Sequence, residues 1–133
     1  MAFIETDVKM LTDTKEIQKL TTSFIFVQSN EVLLEIFQSF SERKGYGIEF
    51  ISFLFRNEID ESFPSYRMMG RDQVLLAADY PAADEDCEVC LNFDEFYQYL
   101  KVGINEIIEK QPNQYNKSEV RGALKKVKDA LGV

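Results

Sequence analysis

The 133-residue chain contains no histidine and no tryptophan, only two cysteines and only three prolines. Without an imidazole, Ser-His and Cys-His nucleophile pairs, histidine general bases and histidine metal ligands are all excluded. A structural zinc site takes four ligands from Cys and His, and here Cys87 and Cys90 supply two. No run of 18 apolar residues is present to cross a membrane. The stretch 1–20 carries Glu5, Asp7, Asp13 and Glu16 and no apolar core, so it does not read as a signal peptide. Positive charge is also scarce, with 15 Lys+Arg against 23 Asp+Glu, a net charge of −8 and a pI near 4.6. Binding a phosphate backbone depends on cationic side chains that release counterions. Nucleic acid and anionic membrane surfaces are therefore disfavoured as partners.

What is present is a large apolar fraction, 45%, with 11 Phe and 6 Tyr. That is enough to bury a core without disulfides or metals, in a length that suits one domain over residues 1–133. Cys87-Glu88-Val89-Cys90 lies in a run that reads as strand, where residues three apart face opposite ways. The expectation is two plain thiols, in a reducing and hence cytoplasmic compartment.

Local signals place most elements. Asp13-Thr14-Lys15-Glu16 resembles a capping box and starts a helix over about 13–20. The run Phe24-Ile25-Phe26-Val27 is too short to separate strand from buried helix. Ser29 or Asn30 caps a second helix with Leu33, Ile36, Phe37 and Phe40 as its stripe, and Gly45 and Gly47 close it. Residues 47–56 read as one central strand, apolar on both faces, with Ile48, Phe50 and Leu54 opposite Ile51, Phe53 and Phe55. Residues 57–66 form an acidic loop. Two further strands follow over 73–79 and 86–91, and short turns favour antiparallel pairing. Asn92 caps the clearest helix, whose stripe runs from Phe93 through Leu100 to Ile108 and stops before Pro112. A last helix begins near Asn116 or Ser118. The expected fold is α+β, a small antiparallel sheet of about three strands packed by four helices.

The charge is uneven along the chain. Residues 72–100 hold eight acids and no Lys or Arg, so this segment alone carries −8, while 1–71 sum to −3 and 101–133 to +3. Such a run also suits an ordinary solvated loop. A dense acidic cluster nevertheless repels itself, and a basic partner would relieve that repulsion and be drawn in by it.

Chemistry of other kinds finds little footing. Asp84, Asp86 and Glu88 alternate, but the glycine turn and closing glutamate of a calcium loop are absent. Gly45-Tyr46-Gly47 lacks the third glycine and the Lys-Ser/Thr of a phosphate loop. No carboxylate pair has a spacing that singles it out for hydrolysis. The expectation is no catalytic residue, no metal, no cofactor and no small-molecule substrate. Phe63 and Tyr66 sit in the acidic loop beside Asp60 and Glu61, where aromatic anchors of a protein interface would stand.

The order of features carries a resemblance. A helix leads to Gly45-Tyr46-Gly47-Ile48-Glu49-Phe50, then to the acidic Asn57-Glu58-Ile59-Asp60-Glu61. A strand ends in Asp79-Tyr80-Pro81, and an acid-rich strand enters Phe93-Asp94-Glu95-Phe96-Tyr97-Gln98-Tyr99-Leu100 before Gln111-Pro112-Asn113. Over about residues 30–130 this resembles the CdiI-type immunity proteins of bacterial contact-dependent growth inhibition (CDI) systems. The resemblance implies a non-enzymatic inhibitor that binds a toxic nuclease domain, an RNase, by stoichiometric contact. The partner-binding residues expected on that basis are Asp60, Glu61, Phe63, Tyr66, Asp79, Asp84, Glu85, Asp86 and Glu88, with affinity of about −12 kcal/mol or tighter. Two other readings stay open, an adaptor or regulatory module without a toxic partner, and a carboxylate-dependent hydrolase.

Overall fold

The computed structural model describes residues 9–62 and 69–133. Five strands form one mixed sheet in the order β1-β5-β4-β3-β2: β1 Lys9–Met10, β2 Tyr46–Ile48, β3 Ile51–Phe55, β4 Gln73–Ala78 and β5 Cys87–Asn92. Among the described residues four α-helices accompany it: α1 Thr14–Phe26, α2 Asn30–Ser41, α3 Phe93–Lys110 and α4 Lys117–Leu131. The α+β class agrees with expectation, and each helix expected from the sequence is present among the described residues. The sheet is larger than the three strands expected, and its parallel β1–β5 pair makes it mixed rather than purely antiparallel.

The helix starts follow their caps. Asp13 Oδ1 accepts from the Lys15 amide at 2.9 Å, Ser29 Oγ from Val32 at 3.3 Å, and Asn116 Oδ1 from Glu119 at 3.1 Å. At α3 the Glu95 carboxylate accepts from the Asn92 amide at 2.9 Å, the returning half of a capping box. The apolar run at 24–26 is the last turn of α1, which carries Phe24 and Ile25 into the core. No glycine ends α2. Its left-handed residue is Arg43, at φ 58°. Gly45 is needed for a different reason: a Cβ there would collide with the Phe53 carbonyl oxygen.

The stretch expected as one strand is a hairpin. Ile48 pairs with Ile51 and Gly47 with Ser52 across the two-residue turn Glu49-Phe50. Reversal at that turn puts Tyr46 and Ile48 on the same face as Ile51, Phe53 and Phe55, not opposite them, and leaves Phe50 39% exposed. The described helices all pack on one face. There Ile51, Phe53, Phe55, Val74, Leu76, Ala78, Cys87 and Leu91 join the buried residues of all four helices. Rings interlock at its centre, with Phe96 at 5.1 Å from Phe40, 5.3 Å from Phe53 and 6.2 Å from Phe55. On the other face Leu75 packs with Ile59 and Met69 of the β3–β4 connection, against half-buried Leu54 and Cys90.

The two thiols behave as the strand spacing requires. Cys87 is buried on the helix side, Cys90 is half-buried on the other, and both are free. Burial pushes both thiols above their usual pKa, with Glu16 adding to the effect at Cys87 and Glu88 at Cys90.

Candidate protein interface

The sheet topology sorts the expected partner-binding residues between two ends. β3 leaves the sheet at Phe55, opposite Val74, and β4 enters at Gln73, opposite Asn92. Asp60 and Glu61 therefore lie at this first end, both exposed, with Asp60 Oδ1 accepting from the Ser62 amide at 2.9 Å. That bond holds the Asp60 carboxyl below its ordinary pKa. Phe63 and Tyr66 lie outside the described residues.

The remaining five acids gather at the second end, where β4 stops at Ala78 beside Cys87. At roughly 3.3 Å per residue, the length of β4 separates the two ends by about 17 Å. Asp79, Asp84, Glu85 and Asp86 are exposed in the β4–β5 connection, and Glu88 is half-buried on β5. Backbone bonds tie this end together. The Asp79 amide donates to the Phe50 carbonyl at 2.8 Å, the Tyr80 amide to Asp86 Oδ1 at 3.2 Å, and the Lys9 amide to the Asp86 carbonyl at 3.0 Å. Three separate segments are thus locked side by side. Among the described residues, Asp79, Asp84, Glu85 and Asp86 take part in none of the three ion pairs, which join Lys44 to Glu42, Lys110 to Glu106 and Lys125 to Asp129. Lys9 is the one cation that β1 brings to this end.

The structure adds residues that sequence reasoning did not select. Tyr80 is 69% exposed, Phe50 39% and Met10 46%. Tyr80 follows Asp79 directly, Phe50 sits in the hairpin turn whose carbonyl holds the Asp79 amide, and Met10 pairs with Glu88. Glu49 of the same turn adds an exposed acid. Beside them the sheet face opposite the helices continues through Glu88, Ala77, Ser52 and Gly47, which the register places in one row. Tyr80 had a local signal, an aromatic inside the acidic run. Phe50 had none, because its exposure depends on the turn.

The second end is therefore an acidic rim around apolar side chains of moderate size, beside a flat strip of sheet. Such a surface can attract and seat a basic protein. Among the described residues, no group of three or more Cys, Asp or Glu is placed to hold a metal ion. No helix among them is long and apolar enough to cross a membrane.

The family model described as CDI immunity protein matches residues 15–124. The chain belongs to the CDI immunity protein family. The match begins in α1 and ends in α4, so it includes β2 to β5 and the connections at both their ends, but not β1. Membership makes a cognate CDI toxin the partner of this immunity protein, in a family of inhibitors rather than of enzymes. No curated protein and no solved structure matches the chain.

Proposed function

We propose that this immunity protein neutralises the C-terminal nuclease domain of a CDI toxin, an RNase, by one-to-one binding in the cytoplasm through its acidic end. The observation that carries this reading is the joining of Asp79, Asp84, Glu85, Asp86 and Glu88 with exposed Phe50 and Tyr80 by three separate segments. A nuclease binds its substrate through a positively charged cleft. An anionic surface laid over that cleft takes the place of the phosphates, and it repels RNA that would displace it. Long-range attraction speeds the encounter, and the aromatic side chains, once desolvated, slow escape. Asp60 and Glu61 lie too far along the sheet to belong to the same cluster, and they border the contact at most.

A pull-down combined with growth rescue tests this reading. The toxin domain encoded immediately upstream is expressed with and without the chain. Tight one-to-one recovery with restored growth is the expected result. Absence of both would remove the toxin from the account and return the acidic end to an ordinary solvated surface.

A further inference from the structure

The end of the sheet opposite the acidic rim carries a feature of contrary sign. A cleft of about 330 Å³ opens there between the α2–β2 connection, the β3–β4 connection and the start of α3. Arg43, Arg56, Asn57 and Arg71 line it, over a floor of Phe55 and Phe93. Three of the five arginines of a chain with net charge −8 thus converge on one cavity.

Their placement is built rather than incidental. Arg43 takes a left-handed backbone, φ 58°, which L side chains rarely adopt. Its guanidinium lies 5.2 Å from the centre of the Phe93 ring, and Nη2 donates to the Ala130 carbonyl at 3.4 Å. Glu58 braces the same end, where Oε1 accepts from the Gly45 and Phe55 amides, both at 2.8 Å. Among the described residues, neither Arg43 nor Arg71 forms an ion pair with any carboxylate of the chain, including those of Asp60, Glu61 and Asp72 at the same end.

We propose that this cleft receives a carboxylate side chain, an Asp or Glu, of the bound toxin. The inference rests on the toxin-binding reading above and adds a second contact to it. Guanidinium forks match the planar, two-oxygen face of a carboxylate. Phosphate shares that chemistry. A polyanion, however, would approach against the repulsion of the whole acidic chain, whereas one carboxylate on a basic protein arrives with its surroundings attracted. A contact at each end also sets the orientation of the partner, because the wrong approach sets acid against acid and arginine against base.

The test compares the chain with its Arg43→Asn, Arg71→Gln and double variants for toxin binding. Asparagine tolerates the left-handed backbone at 43, and unchanged melting temperatures show that the variants fold. The double variant should bind on the order of 10- to 100-fold more weakly, through faster dissociation, and Arg71→Lys should not restore the loss. Neutralising the toxin's acidic residues one at a time should find one whose loss is not additive with the double variant. Double-variant affinity within twofold of the parent, while acidic-end variants still weaken binding, would overturn the carboxylate contact and leave the function reading intact. Failure of the parent chain itself to bind would overturn both. Saturable binding of inorganic phosphate in the cleft, with toxin affinity untouched by the variants, would overturn it in favour of a free anion.

Discussion

The two ends of the sheet are built from similar connections, yet one is almost wholly acidic while the other gathers three arginines among its acids. At one, Glu49, Asp79, Asp84, Glu85, Asp86 and Glu88 gather with Phe50 and Tyr80, and Lys9 is the cation that β1 contributes; at the other, Arg43, Arg56 and Arg71 converge on Phe55 and Phe93, with Asp60, Glu61 and Asp72 at the same end. The net charge of −8 describes neither. A strand of six residues thus keeps the acidic rim and the arginine cleft about 17 Å apart, where salt screens them largely from one another. Each end can then act on a partner separately. A protein polarised in this way is steered into one orientation as well as attracted.

The largest expected effect comes from erasing the acidic end. Reversing Asp84, Glu85 and Asp86 to Lys together should lower toxin affinity on the order of 100- to 1,000-fold, mostly through slower association, with a flatter dependence on salt. Stopped-flow association at several ionic strengths measures this, and rates equal to the parent's would remove the acids from the interface. The arginine end can be broken from inside. Gly45→Ala would drive a methyl group into the Phe53 carbonyl and the Glu58 carboxylate, which holds the Gly45 and Phe55 amides. A loss of about 2–3 kcal/mol in a urea melt is expected, by overpacking against backbone.

Smaller effects sharpen the contrast. Phe50→Ala and Tyr80→Ala should each weaken binding by about 1–2 kcal/mol through faster dissociation, with little change in melting temperature because both side chains are exposed. Surface plasmon resonance would separate the two rates. Smallest is the response to alkali. Burial raises the pKa of Cys87, Cys90, Tyr99 and Tyr115, so the folded state keeps these protons when the unfolded chain has lost them. The stability they contribute is complete below the unfolded thiol value of about 8.5 and is lost as pH rises through the raised folded values. Melting temperature should therefore drift downward as pH rises above about 8.5, and Cys90→Ala should soften the first part of that drift.

Elements that declare themselves locally were legible in the sequence. Asp13, Ser29, Asn92 and Asn116 announce helix starts, and the stripes of α2, α3 and α4 repeat at steps of three and four. The β2–β3 hairpin was not legible, because Glu49-Phe50 lacks the Gly or Asn that marks tight turns and interrupts no apolar run. Strand β1 has two residues, and its pairing with β5 depends on chain far away in sequence. The same distinction divides the site. The acidic run was visible as composition, but its closeness to Phe50 and Met10 is a product of sheet register. The arginine cleft was invisible for the same reason, since its three arginines come from positions 43, 56 and 71 and meet only when α2, β3 and α3 pack.

The decisive test of binding through the acidic end titrates the activity of the cognate toxin domain with the parent chain and with the Asp84/Glu85/Asp86 charge-reversed variant. Activity should fall in a straight line to zero at one equivalent of the parent chain, and the variant should need a large excess to reach the same point. Superimposable titrations, or full activity at several equivalents of the parent, would contradict it.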